Sequence, residues 1–347
     1  MNDTPIAPPA LAPNQKIAVL SPSMAAPAYA PAIHEQAMTR LAEITGREIV
    51  EYPTTRQLGA SAADRARDVC AAFADPEIGA VMSTVGGNDQ ITVLPHLDEA
   101  AILDNPKPFL GYSDNTHLHN WLWSRDIASF YGGSTQVHLG AGPKVDEEQR
   151  TSLLSALNGG SLELVNPPLS EDYGVDWSDP KALTETGIRR STPDYQWFGP
   201  TTEVTAHTWG GCVEVLVDIL IARAFTGDEK LDGAILLLEL SEDVMSPMTY
   251  GRFLRALGER GLLGRLAGLM LARPPATSFD YNPPEDVQES HRRNLVELTA
   301  GAMEKYNPKA VVVYGVPFGH TRPQWIVPYG GRITLDPRTR TVRAHYR

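Results

Sequence analysis

Phe109-Leu-Gly-Tyr-Ser-Asp-Asn-Thr116 reads as a short apolar strand, a tight turn and the start of a helix. The same order recurs on the N-terminal side of it. Lys16-Ile-Ala-Val-Leu-Ser-Pro-Ser23 is an apolar run that ends in a loop, and from Pro31 to Ile44 the residues Ile33, Ala37, Leu41 and Ile44 share one helical face. Glu48-Ile-Val-Glu-Tyr52 and Ala80-Val-Met-Ser-Thr-Val85 are further strands, separated by a helix over Ala62 to Phe73 with Val69 and Phe73 on one side. Asp89 to Leu97 and Asn115 to Trp123 are predicted helical, and Ala128-Ser-Phe-Tyr131 is another strand. Strands alternating with helices predict an α/β protein with a parallel, doubly wound sheet. Ligands of such sheets bind beyond the carboxyl ends of the strands. The places to look are therefore Ser21 to Ser23, Gly86 to Asp89, Ser113 to Asn115, and Gly132-Gly133.

The pattern changes after Gly160. Residues 166 to 200 are rich in Pro, Asp, Ser and Trp and show little periodicity, as expected of a lid, a binding loop or a linker. Strand-like runs return at Ala234 to Glu239, Leu266 to Leu271, Ala310 to Tyr314 and Arg332 to Leu335, with helical stretches near Val213 to Phe225, Met248 to Arg260 and Glu285 to Tyr306. The expected organisation is a first domain over 1–165, an interdomain loop over 166–200 and a mixed second domain over 201–347.

The chain has 347 residues, which at about 150 per domain fits two domains. Its 42% hydrophobic content is that of a globular chain and not of a disordered one. A net charge of −12 argues against nucleic-acid polymers and anionic membrane surfaces as partners. No apolar run approaches the ~20 residues that span a bilayer. Met1 to Pro13 has neither a basic nor an apolar region of a secretory signal and reads as a Pro-rich tail. Cys70 and Cys212 form no disulfide framework and no metal-type cluster, which suits a reducing, cytoplasmic setting.

Four segments carry candidate chemistry. A serine on a strand-to-helix turn projects its hydroxyl above the sheet, and the amide of the next residue faces the same space. Ser113 and Asp114 thus offer a nucleophile and an oxyanion donor. Asn115 stands where G-x-S-x-G would have its last glycine, and the plainer alternative is a Ser or Asp capping the next helix. In Ser83 to Gln90, Gly86-Gly87 lets backbone amides approach an anion, as a phosphate loop, an oxyanion loop or only a turn. Gly87 is the candidate second donor. Neither G-x-G-x-x-G nor a P-loop occurs, which argues against a dinucleotide site. His320, among Gly and Pro after a strand, is a candidate base for Ser113 or a structural histidine. Glu239 ends an apolar strand and must be paired, coordinated or set in a cleft. It could orient an imidazole or pair with an Arg, and Glu242 rivals it. No H-E-x-x-H occurs, and His117 and His119 lie i, i+2 on a predicted helix, facing apart, so neither metal nor cofactor is expected.

Together, Gly86-Gly-Asn-Asp89, Gly111-Tyr-Ser-Asp114, Gly210-Gly-Cys-Val-Glu214, Leu238-Glu239 and Gly319-His-Thr-Arg-Pro-Gln324 resemble the LD-carboxypeptidase family of serine peptidases. Within it, the chain is most similar to the microcin C self-immunity branch. The resemblance implies a Rossmann-like N-terminal domain and a β-rich, barrel-like C-terminal domain, with a metal-independent Ser113-Glu239-His320 triad shared between them. It further implies an oxyanion hole from the amides of Gly87 and Asp114, and a homodimer. In the immunity branch a loop aromatic stacks on the substrate's nucleobase. Trp177 is the candidate here, with Trp197 and Trp209 as alternatives, or it only anchors its loop. The Asn88-Asp89 form of the glycine loop makes Asn88 a second candidate substrate contact. The expected activity is cleavage of an amide bond in a peptidyl- or aminoacyl-nucleotide. The alternatives are trimming of a murein tetrapeptide and a binding protein without chemistry.

Overall fold

The computed structural model describes residues 5–225 and 227–347. Their strands are β1 (Lys16–Leu20), β2 (Ile49–Glu51), β3 (Ile78–Ser83), β4 (Phe109–Gly111), β5 (Ser129–Tyr131), β6 (Ser161–Glu163), β7 (Leu169–Ser170), β8 (Arg190–Ser191), β9 (Gln196–Phe198), β10 (Val204–Cys212), β11 (Ile235–Glu239), β12 (Gly268–Ala272), β13 (Val311–Val316), β14 (Val327–Tyr329), β15 (Arg332–Asp336) and β16 (Thr341–His345).

Two sheets organise the chain, and the α/β architecture is the expected one. The first has the order β14-β5-β4-β3-β1-β2. Its members from β1 to β5 are parallel, and β3 is buried along its whole length, as a parallel strand covered on both faces must be. The second has the order β6-β16-β15-β10-β11-β12-β13-β9, with parallel pairing from β10 to β13 and antiparallel flanks. Two strands cross between the halves. β6 joins the second sheet, and β14 pairs with β5 in the first, with Val327 opposite Tyr131.

Local chemistry sets the helix ends. The helix Ala62–Ala74 starts at Ser61, whose Oγ accepts from the Asp64 amide at 3.1 Å. The helix Pro247–Glu259 starts at Ser246 in the same way, with Pro247 in its first turn. Glu285–Tyr306 is helical as expected. The segment read as a helix over Asp89 to Leu97 is instead two short 3₁₀ turns, Gln90–Thr92 and Leu94–His96, where Pro95 has no amide to extend an α-helical ladder. Among the described residues, no helix is long and apolar enough to cross a membrane.

The irregular segment from 166 to 200 is tied down by arginines. Arg292 pairs with Asp172 at 2.6 Å, and the buried Arg273 donates to Ser170 Oγ at 2.8 Å. Arg189 reaches Asp146 at 2.9 Å and Glu171 at 3.5 Å. Arg322 pairs with Asp146 at 2.7 Å, while its backbone exchanges hydrogen bonds of 2.9 and 2.8 Å with Glu171. Arg322, Asp146 and Glu171 are all buried, so removing the guanidinium leaves carboxylates short of positive charge. Arg322→Met is expected to lower stability by about 3 kcal/mol, the low end for a broken buried pair because Arg189 remains. Urea denaturation reads this, and an unchanged midpoint would show that Arg189 alone neutralises the cluster.

Candidate active site

β4 delivers Ser113. The strand ends at Gly111, and Ser113 takes φ of +62° at the head of a 3₁₀ turn, Ser113–Asn115, that leads into the helix Thr116–Ser124. A positive φ is uncommon outside glycine and must be held by its surroundings. Here the Ser113 amide donates to Tyr131 Oη at 3.2 Å, and Thr116 Oγ1 donates to the Ser113 carbonyl at 2.6 Å.

The glycine loop after β3 lies over this turn. A Cβ on Gly86 would sit 2.8 Å from Ser113 Oγ and 3.2 Å from the Asp114 amide. The missing side chain therefore leaves open the space next to both groups. Asp114 fastens the loop with its carboxylate, which accepts from the amides of Asp89 and Gln90 at 3.0 and 2.9 Å and from Ser23 Oγ at 2.5 Å. Arg65 grips Asp89 with two bonds of 2.8 Å.

His320 follows β13, and Glu239 ends β11. Glu239 is fully buried. One of its oxygens accepts from Tyr131 Oη at 2.6 Å and the other lies 2.6 Å from His320 Nδ1. Glycine at 319 permits this approach, because a Cβ there would lie 2.7 Å from Glu239 Cβ. Gln324 holds the loop through the Gly319 carbonyl and the Gly133 amide, each at 2.7 Å.

The two rival carboxylates occupy opposite nitrogens of one ring. Glu242 Oε2 lies 3.3 Å from His320 Nε2, and its side chain is 61% exposed. Among the described residues, no hydrogen bond joins Ser113 Oγ to Nε2 in this state. Burial pulls the imidazole toward neutrality, but Glu239, with help from Glu242 and Glu214, more than offsets it and raises the His320 pKa to about 9. Burial pushes the Glu214 carboxyl up, and that carboxyl accepts from Ser241 Oγ at 2.9 Å and from Cys212 Sγ at 3.2 Å. Burial also raises the Tyr131 phenol well above its usual range, so it remains a donor to Glu239.

Ser113, His320, Gly86, Gly87, Trp177 and Glu242 line one cleft of about 430 Å³. Trp177 is half-buried and also packs against Ala30, Ile33 and Ala182, so wall and anchor are combined in one residue. Asn88 is exposed on the glycine loop and is not among the lining residues. Trp209 is buried, with Nε1 donating to Asn120 at 3.1 Å, and Trp197 sits on β9 at the sheet edge. His117 and His119 do face apart. His119 contacts Ser129 and the Gly111 carbonyl, while His117 leans toward Asp114 at 3.7 Å. Tyr131, whose phenol meets both the Ser113 amide and Glu239, has no local signal in the sequence beyond the two glycines that follow it. Tyr29, Tyr173 and Phe279 also line the cleft with no local motif to mark them. A larger cleft, about 950 Å³, lies beyond Asp172 among Arg190, Arg273, Arg292 and Arg293 and contains none of Ser113, Glu239 and His320. Among the described residues, no group of three or more His, Cys, Asp or Glu is placed to hold a metal ion.

A serine on a positive-φ strand-to-helix turn thus shares one cleft with a carboxylate-bound histidine. Residues 17–132 match the LD-carboxypeptidase N-terminal domain and residues 205–335 the LD-carboxypeptidase C-terminal domain, so the chain belongs to the LD-carboxypeptidase family. A Vibrio cholerae protein that carries the name of a carboxypeptidase is 27% identical over 338 residues, covering 94% of each chain. The microcin C7 self-immunity protein MccF of Escherichia coli is 25% identical over 277 residues, covering 79% of this chain and 75% of MccF. The structure of MccF in complex with aspartyl sulfamoyl adenosine shares the fold, with a TM-score of 0.83 at 21% identity over 98% of each chain.

The close approach of Gly86 to Ser113 can be tested without knowing the substrate. Gly86→Ala is expected to slow labelling of Ser113 by a fluorophosphonate about a hundredfold, the order of a lost oxyanion interaction, with the circular dichroism spectrum retained. Labelling at the wild-type rate would show that the loop yields without disturbing the nucleophile.

Proposed function

We propose that the protein is a serine amidase that cleaves the acyl–nitrogen bond of an aminoacyl- or peptidyl-nucleotide. The observation that carries the reading is the hydrogen bond from His320 Nδ1 to the buried Glu239, in the cleft that Ser113 enters from its strained turn. Ser113 Oγ attacks the acyl carbonyl carbon while its proton passes to His320 Nε2. Glu239 orients the ring and stabilises its cationic form. The amides of Gly87 and Asp114 hold the oxyanion, worth about 3 to 4 kcal/mol per donor in comparable enzymes. As the tetrahedral intermediate collapses, the carbon–nitrogen bond breaks and the leaving amine takes the proton from Nε2. Water then hydrolyses the acyl-enzyme by the same steps.

The substrate class rests on relatives. MccF structures hold aspartyl sulfamoyl adenosine and glutamyl sulfamoyl guanosine. Support for a planar base in this chain comes from Trp177, which lines the same cleft as Ser113 and His320. The competing substrate is a murein peptide, which a Bacillus subtilis relative, 24% identical over 291 residues, has in its name. A cytoplasmic setting, read from the two isolated cysteines, and a homodimer, implied by the family resemblance, complete the reading.

The test is a hydrolysis panel of aminoacyl-sulfamoyl adenosines, processed microcin C and murein tetrapeptide, read by mass spectrometry. Ser113→Ala and His320→Ala are each expected to lose turnover by several orders of magnitude while remaining folded, because such residues act as a unit. Near-wild-type turnover in Ser113→Ala would remove the serine mechanism. Binding without turnover in the wild type would leave only a binding protein. Trp177→Ala is expected to lower kcat/KM for a nucleotide substrate by about ten- to a hundredfold, the size of one base–aromatic stack, and to change little for a murein peptide. Equal losses on both, or a large fall in melting temperature, would make Trp177 a loop anchor only.

A further inference from the structure

We propose that Glu242 is the receptor for a cationic α-ammonium group on the acyl half of the substrate, and that in the unliganded enzyme it occupies His320 Nε2 until that group draws it away. The inference rests on the proposed amidase reading and adds the charge of its substrate.

The argument begins with the carboxylates that line the cleft. Glu171 is engaged by Arg189 and Arg322, Asp172 by Arg292, and Asp176 by the amide and hydroxyl of Ser178. Glu242 has no guanidinium or ammonium partner among the described residues, and its one close contact is His320 Nε2 at 3.3 Å. That nitrogen must receive the Ser113 proton. A carboxylate against it, with Glu239 at 2.6 Å on Nδ1, favours the imidazolium, which cannot act as a base. The groups facing His320 are Glu239 and Glu242 from the end of β11, Glu214 from the helix Val213–Ile221, Tyr112 and His138 from the N-terminal half, and Arg322 two residues on. Of these, Glu242 is the one left largely in solvent, at 61% exposure.

An aminoacyl group carries its ammonium on the carbon next to the carbonyl under attack. Ser113 and Glu242 line the same cleft, and Glu242 touches the ring nitrogen that serves Ser113, so with that carbonyl at Ser113 the proposal sets the ammonium against Glu242. A charge-assisted bond to the ammonium replaces the contact with Nε2. The imidazole then keeps Glu239 alone and loses the charge that held its second proton. Binding of the correct acyl group thus both positions the carbonyl and releases the base. An acyl group without the cation leaves Glu242 where it is.

The experiment pairs Glu242→Gln with the wild type in two measurements. Histidine-selective NMR of the unliganded proteins follows the titration of His320. It is expected near 9 in the wild type and lower by about one pH unit or more in the variant, since one of two adjacent carboxylates is gone. Kinetics compare an aminoacyl-sulfamoyl adenosine with its des-amino analogue. The wild type is expected to prefer the aminoacyl compound by about ten- to a hundredfold in kcat/KM, as for one charge-assisted bond. In Glu242→Gln the preference is expected to collapse, chiefly through a raised KM for the aminoacyl compound, and the acid limb of kcat/KM to move to lower pH. The same His320 titration in both proteins, or an undiminished preference in the variant, would overturn the proposal. If the wild type turns over neither nucleoside, the amidase reading fails, and the histidine titration still decides whether Glu242 holds Nε2.

Discussion

A fully buried carboxylate at Glu239 is the constraint on which the rest of the site depends. An ionised group out of water needs donors on both oxygens, because burying a charge without them costs several kcal/mol. Its donors come from different parts of the chain. Tyr131 ends β5 of the first sheet, and His320 follows β13 of the second. The two sheets are thereby joined through one side chain. Tyr131 Oη also receives the Ser113 amide, so the acid and the strained turn share a phenol. Displacing Glu239 would release the imidazole and remove a support of the positive φ at Ser113.

Around that junction, polar groups fix the glycine loop and the histidine loop. Asp114 anchors the glycine loop by two hydrogen bonds and the loop after β1 by a third from Ser23, and Gln324 clamps the histidine loop to Gly133. The segment from 166 to 200 is held by arginine–carboxylate pairs, which keep Trp177 at the cleft although little regular structure surrounds it. Glycine appears where backbone approaches the side chains of the cleft closely, at Gly86 over Ser113 and Gly319 over Glu239. These are spatial requirements.

The paired carboxylates on His320 show how position divides chemically identical groups. Glu239 ends a buried strand and is locked on Nδ1, while Glu242, three residues on, is in solvent and meets Nε2. Orienting a ring requires a fixed partner.

Much of this was legible in the sequence. The alternation of β1, β3 and β4 with helices follows from local periodicity, and the strand-to-helix turn at Ser113 and the glycine pair at 86 and 87 are local patterns too. Other features lay beyond local reading. No periodicity says that β14 leaves the second half to pair with β5, or that β6 joins the second sheet, because strand pairing is settled by which edges are left open. Pro95 broke an expected helix into turns for lack of one amide. Tyr131, an apolar-looking strand residue, became the link between Ser113 and Glu239 only when the sheets met. Trp209 and Trp177 are alike as letters, yet one is enclosed in the core and the other lines the cleft. The sequence by itself determined the strands, the turns and the residue types able to do acyl chemistry, since these depend on neighbours a few positions apart. Only the tertiary structure decided which glutamate meets which nitrogen of His320, because burial and approach are set by segments 81 residues apart in the chain.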